Sequence, residues 1–256
     1  MAFLTTYHTD KGIKKATNQD GLLIKTAQTV KGEVGLFVVC DGMGGLAQGE
    51  LASAAVIRGM SDWFERELPE IIYSEELDQE IQSALKECII ELNEKILAYG
   101  NASDAKLGTT VTAMLTIDRS YFIVQIGDSR AYSIADRIIQ LTKDQSLVAR
   151  EVERGNITLE QAKIHPKRNV LLQCIGANQD IDVEISTGEL QQEAAYLLCT
   201  DGFYHEISER EIYQALTPSN LIDKQTMKNN VIELVELVKQ RNEIDNISVV
   251  LMKVTS

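Results

Sequence analysis

The sequence predicts an α+β fold made of mostly antiparallel sheets covered by helices. Strand-like runs occur in groups and helical patterns occur in pairs, whereas a regular strand–helix alternation would signal a parallel sheet. Length agrees: 256 residues, 44% of them hydrophobic, can bury a substantial core. No repeat, low-complexity stretch or linker interrupts the chain, so residues 1–256 are expected to form a single catalytic-size domain.

Taken in order, Ala2–His8 reads as a strand followed by a turn at Lys11-Gly12. Gly21–Val30 and Glu33–Cys40, rich in β-branched and apolar residues, flank Lys31-Gly32 as a hairpin. The second run stops at Asp41-Gly42-Met43-Gly44-Gly45. Two long helices follow. One places Leu51, Ala52, Ala55, Val56, Gly59, Met60 and Trp63 on a single face. The other repeats Leu77, Ile81, Ala84, Leu85, Cys88, Ile89, Leu92 and Ile96 at three- and four-residue spacing. After Gly108 the period becomes strand-like. Thr109–Ile117 and Tyr121–Ile126 surround Asp118-Arg119, and Ala131–Ile134 and Ile138–Leu141 surround Asp136-Arg137, which together read as one antiparallel meander. Residues 146–164 suit short helices, with Thr158 to Gln161 as a capping box. Val183–Ile185 and Tyr196–Cys199 are further strands. Ser208 to Glu211 caps a helix, residues 226–240 form the last one, and Ile247–Val254 ends the series as a strand.

Composition narrows the function. The formal net charge of -13 disfavours nucleic acid and anionic membranes as partners, since both would be repelled. The first residues lack the basic and apolar regions of a signal peptide. The apolar run Val34–Cys40 is too short to span a bilayer. Cys40, Cys88, Cys174 and Cys199 show no metal-type clustering and read as reduced, mostly buried side chains of a cytoplasmic protein.

Four aspartates share a setting: Asp41 before Gly42, Asp128 after Gly127, Asp201 before Gly202, and Asp245 before Asn246. Three of them adjoin both an apolar strand and a glycine. Strand ends of one sheet bring distant residues to a common rim, and glycine lets backbone carbonyls join as oxygen ligands. Converging carboxylates repel one another unless cations lie between them, and hard ions such as Mg²⁺ or Mn²⁺ match oxygen donors.

Seven motifs then add up. Asn18-Gln19-Asp20, Val39 to Gly45, Gly108-Thr109-Thr110, Ile126 to Arg130, His165 to Asn169, Thr200-Asp201-Gly202 and Asp245 to Ser248 resemble, in order, the metal-dependent protein phosphatase family, type 2C. The His-Pro-x-Arg-Asn segment gives the look of its compact bacterial members. The resemblance implies a four-layer αββα sandwich: two face-to-face antiparallel sheets, helix pairs outside, and a flap segment near the active site. It implies a binuclear Mn²⁺ or Mg²⁺ centre with room for a third ion. Asp41 would bridge two metals, one of them also held by the Gly42 carbonyl. Asp201 and Asp245 would hold the other, and Asp20 would bind directly or through water. Asp128 would hold the third with Asp201, while Asn246 would support Asp245 by hydrogen bonding. A metal-activated water would attack phosphoserine or phosphothreonine in line, without a phosphoenzyme. Phosphorylated proteins, the products of a Ser/Thr kinase, would be the substrates of a monomeric enzyme.

Departures from the pattern are informative. Gln19 stands where many relatives have Glu, removing a charge beside the ligands. Lys15 occupies the place of a phosphate-binding arginine; it is expected to contact phosphate without the bidentate fork. Met43 stands where many eukaryotic relatives carry a proposed general-acid histidine. His165 and Arg168 belong to the segment that includes the flap in relatives, where a structural turn competes with a substrate contact. His205 follows Tyr204 close to Asp201, and Arg130 suits a structural ion pair. Two alternatives remain at this point. A catalytically weak phosphoprotein-binding relative of the same fold is one. The other is a dinucleotide enzyme, because Gly42 to Ala47 fits G-x-G-x-x-A.

Overall fold

The computed structural model of the chain describes residues 2–44 and 48–255. The strands are β1 (Ala2–Asp10), β2 (Gly21–Thr29), β3 (Gly32–Cys40), β4 (Gly42–Gly44), β5 (Leu107–Thr109), β6 (Val111–Ile117), β7 (Ser120–Ile126), β8 (Arg130–Ile134), β9 (Ile138–Gln140), β10 (Glu184–Glu189), β11 (Ala195–Cys199) and β12 (Ile247–Thr255). The helices are α1 (Gln48–Arg66), α2 (Leu68–Ile71), α3 (Leu77–Ser103), α4 (Leu147–Glu153), α5 (Leu159–Lys163), α6 (Asp201–Tyr204), α7 (Glu209–Leu216) and α8 (Lys224–Gln240). None is long and apolar enough to cross a membrane.

One sheet runs β1-β12-β11-β8-β9 and the other β10-β7-β6-β3-β2, with β4 and β5 as a small separate pair. Pairing between these strands is antiparallel. Side-chain alternation divides the interior into three cores. On β3, Val34, Leu36, Val38 and Cys40 face α1 and α3, whereas Phe37 and Val39 face the other sheet. On β11, Tyr196 and Leu198 meet that inter-sheet core, while Ala195, Leu197 and Cys199 face α7 and α8. The order is therefore helix, sheet, sheet, helix. Central strands are covered on both faces, so they read as unbroken apolar runs where a half-exposed sheet would alternate. Each fully buried Leu, Ile or Phe contributes roughly 1.5–3 kcal/mol.

Most expected elements stand within a residue or two of their predicted bounds, and the capping boxes at Thr158 and Ser208 both form. Three local readings are corrected. Residues 109–141 do not make one meander: β6 and β7 belong to one sheet and β8 and β9 to the other, with the crossing at residues 127–129. The strand expected at Val183–Ile185 runs Glu184–Glu189, because its edge pairs with β7 along its length. Leu51, placed on the buried face of the first helix, is 46% exposed. Two short elements, β4 and α6, lie just after Asp41 and at Asp201 and had no periodicity to reveal them.

Register gathers the site. Gly21 pairs with Cys40, Val111 with Ile126, Arg130 with Cys199, and Asp10 with Ile247. These strand ends lie at one end of the sandwich. Asp20, Asp41, Asp128, Asp201 and Asp245 occupy the connections leaving them.

Candidate metal centre

Local backbone chemistry fixes each carboxylate. Asp41 leaves β3 with its N–H donated to Thr110 Oγ1 and its carbonyl accepting from Thr109 Oγ1, both at 2.9 Å, and from the Thr110 N–H. The Thr109-Thr110 pair thus acts as a clamp on Asp41. Gly42 is buried against two other chain segments: a Cβ there would lie 2.3 Å from the Gly49 carbonyl oxygen and 2.4 Å from that of Gln19. Only glycine permits this approach. Asp128 sits at the sheet crossing, 4% exposed, its carbonyl accepting from the Tyr204 hydroxyl at 3.0 Å. Asp201 begins α6 and is 5% exposed. Asp20 Oδ2 accepts from Thr200 Oγ1 at 3.0 Å, which ties the loop before β2 to the other sheet.

Asn246 does more than the expected support of Asp245. Its backbone N–H donates to Asp245 Oδ1 at 2.8 Å. Its side chain instead clasps the loop between β1 and β2, accepting from Gln19 N–H and donating to the carbonyls of Lys11 and Thr17. Asn246 therefore orients both Asp245 and the segment carrying Lys15, Gln19 and Asp20.

Electrostatics marks these aspartates as a set. Burial pushes the Asp20 carboxyl up to about 7; hydrogen bonds from Ser248 and Thr200 oppose the shift, and the charges of Asp201 and Asp245 add to it. Asp41 is raised well above the ordinary carboxylate range by burial and then by Asp201, Asp20, Asp245 and Asp128. Asp128 is raised by burial, Asp201 and Asp144, against the opposing charge of Arg130. Shielded oxygens Asp20 Oδ1 and Asp201 Oδ1 have no hydrogen-bond partner. Lys15 enters this field, its Nζ 2.6 Å from Asp245 Oδ1. Burial opposes its charge, yet Asp245, Asp41 and Asp201 together hold the ammonium above the ordinary lysine value.

Among the described residues, no group of three or more His, Cys, Asp or Glu side chains is arranged to hold a metal ion. The donor set nevertheless fits a cation. Its members are all hard oxygens, two are shielded and unpartnered, and mutual repulsion disfavours full ionisation without added positive charge. One ammonium from Lys15 supplies part of that charge.

The remaining candidates separate. Arg130 makes the expected ion pair, a fork on Asp144 with Nη2–Oδ2 at 2.6 Å, and stacks 3.6 Å from the Tyr204 ring centroid. His165 Nδ1 accepts from the Lys167 N–H, as a turn residue would. Arg168 donates to the Lys163 carbonyl and lines, with Asp128, a cavity of about 410 Å³. Gly42–Gly44 forms β4, hydrogen-bonded to β5, and β3 has antiparallel neighbours on both sides, unlike a dinucleotide-binding turn. Gly45, Leu46 and Ala47, the second half of that fingerprint, lie outside the described residues.

Sequence reasoning missed Glu243. It is 3% exposed, and its Oε1 accepts from the N–H groups of Ile244 and Asp245, shaping the turn that presents Asp245. Its Oε2 has no hydrogen-bond partner and lies 3.8 Å from His205 Nδ1, which is 3.7 Å from Asp201 Oδ2. No sequence pattern distinguishes this glutamate from a solvated one. Tyr204 was also missed, although its place beside Asp201 was a usable signal.

Comparison with known proteins shows what the chain is similar to. Residues 7–245 match the family model described as protein phosphatase 2C. The chain is 30% identical over 251 residues to the serine/threonine phosphatase stp of Listeria monocytogenes, across 96% of this chain and 94% of that protein. It superposes on the crystal structure of the Mycobacterium tuberculosis serine/threonine phosphatase PstP/Ppp with a TM-score of 0.84 and 28% identity, covering 100% of both chains. The PstP catalytic domain in complex with two manganese ions gives a TM-score of 0.81 at 27% identity, covering 99% of each chain.

Proposed function

The chain belongs to the protein phosphatase 2C family, and from that membership we propose how its residues divide the work. It is a serine/threonine protein phosphatase, a metal-dependent hydrolase of phosphoproteins. The observation that carries the site assignment is the placement of Asp20, Asp41, Asp128, Asp201 and Asp245 at one end of the sandwich, with a shielded, unpartnered oxygen on Asp20 and on Asp201. A phosphate group would be repelled from such a pocket unless cations were present.

We assign Asp41 and the Gly42 carbonyl, with Asp20, Asp201 and Asp245, to two divalent ions, and Asp128 with Asp201 to a third, weaker one. Manganese is favoured because the solved PstP catalytic domain holds two manganese ions. Held there, such ions would acidify a water for in-line attack and would neutralise the phosphoryl oxygens. The chain's own groups do the rest. Thr109 and Thr110 fix the Asp41 backbone, Glu243 and Asn246 aim Asp245, and Tyr204 anchors Asp128. Lys15 carries a positive charge among the carboxylates, paired with Asp245, and is assigned here to contact a phosphoryl oxygen. Met43 carries no proton for the departing serine or threonine oxygen, so solvent provides it. The substrates are read as products of a Ser/Thr kinase, and residues 1–256 as one catalytic domain acting as a monomer. The contact of β3 with β11 and β12 across the inter-sheet core supports that single-domain reading.

The test is hydrolysis of a phosphothreonine peptide and of para-nitrophenyl phosphate with Mn²⁺, Mg²⁺ or chelator. Turnover should require the metal and vanish in Asp41→Ala and Asp245→Ala proteins that keep a native circular dichroism spectrum. Rates unaffected by exhaustive chelation would overturn the assignment.

A further inference from the structure

Helices α4 and α5 carry apolar side chains that none of the three cores uses. Neither helix buries a residue. Leu159 is 65% exposed, and Ile164, immediately after α5, is 83% exposed. The segment is nonetheless well built. Ser146 and Thr158 cap the two helices, the N–H of Leu147 donates to Val170, and those of Gln145 and Leu172 close onto Gly127 and Gln145. Both its ends are thus pinned beside the sheet crossing that carries Asp128. Under it runs the cavity of about 410 Å³, whose wall extends from Asp128 and His205 to Val152, Leu159 and Lys163.

Arg130, Lys143, Lys163 and Arg168 line this cavity together with Asp128 and Asp144. Lys143 is paired with Glu153 at 2.6 Å, and Arg168 faces Glu206 at 3.7 Å. Lys163 is in no ion pair among the described residues. One wall is apolar, one cation is available, and one end opens onto the aspartates. A groove of this kind complements an extended peptide bearing an apolar side chain next to an acidic one.

We infer that this groove binds the substrate chain beside the phosphorylated residue and selects an apolar residue with an acidic neighbour. The inference rests on the phosphatase reading above. Val148, Val152 and Leu159 receive the apolar side chain, and Lys163 receives the carboxylate.

The test uses the full chain with Mn²⁺ and phosphothreonine peptides that differ only in a Leu-Glu or Ala-Ala pair, placed before or after the phosphothreonine. In one of the two placements, kcat/KM should be about tenfold higher for Leu-Glu, equivalent to about 1.4 kcal/mol. Leu159→Ala should bring that ratio down toward one. Lys163→Glu should shift the preference from Leu-Glu to Leu-Lys, a charge exchange that a purely structural role would not produce. Both positions are exposed, so neither change threatens the fold. Equal rates for all peptides, or a ratio unchanged in both variants, would overturn the groove assignment while leaving the phosphatase reading intact. No turnover of any phosphopeptide or of para-nitrophenyl phosphate would overturn both.

Discussion

Replacing Asp20 by asparagine should strengthen the metal-free protein while abolishing its metal-dependent turnover. The carboxyl of Asp20 is pushed from 3.8 up to about 7, mainly by burial. A difference of about three units, at about 1.36 kcal/mol each, sets a ceiling of roughly 4 kcal/mol on the cost of its charge. The sign follows from proton binding. Between about pH 4 and 7 the folded protein keeps a proton on Asp20 that the unfolded chain has released. The cost is therefore absent below about pH 4, grows as pH rises, and is complete above about pH 7. Asparagine keeps an acceptor for Thr200 but places an amide where Asp20 Oδ1 has no partner, which takes back roughly 1–2 kcal/mol. The variant should thus be more stable by roughly 2–3 kcal/mol at pH 8 and less stable than the parent by roughly 1–2 kcal/mol near pH 4. Urea unfolding in chelator across this range measures the difference. With saturating Mn²⁺ the order should reverse, because tighter binding stabilises the protein that retains the Asp20 carboxylate more than the variant. Parallel pH curves for the two proteins in chelator, or a less stable variant at pH 8, would refute the reasoning.

Two further outcomes follow from the same end of the sandwich. Asn246→Ala should destabilise the metal-free protein by about 3 kcal/mol in chemical denaturation, since it strands the N–H of Gln19 and the carbonyls of Lys11 and Thr17; a loss under about 1 kcal/mol would show that the clasp is dispensable. Gly202→Ala would set a Cβ 2.1 Å from the Asn246 carbonyl oxygen and 3.4 Å from Asp245 Cβ, so backbone must move. It should cost roughly 1–3 kcal/mol and weaken Mn²⁺ binding in calorimetric titration, and unchanged values for both would contradict the close approach.

Much of this architecture was legible because its signals are local. The continuous apolar runs of β3 and β12 announced strands, and capping residues at Thr158 and Ser208 marked helix starts. Asp-Gly pairs at strand ends identified the ligand candidates once several were taken together. What the sequence concealed depends on partners distant along the chain. Periodicity cannot tell that the chain changes sheets between Ile126 and Arg130, since both hairpins look alike locally. Lys15 read as a phosphate contact by position, but its ion pair with Asp245 joins residues at opposite ends of the sequence. Glu243 looks like a surface acid until Asp245 and His205 close around it.

The pairing of β1 with β12, from Ala2–Thr255 to Asp10–Ile247, has a consequence for biosynthesis. The ribosome makes β1 well before β12, so their shared ladder forms only after everything between them exists. Asp245 and Asn246 arrive with that late strand. A nascent polypeptide therefore cannot bring Asp245 and Asn246 up to the other carboxylates until that outer ladder is laid down.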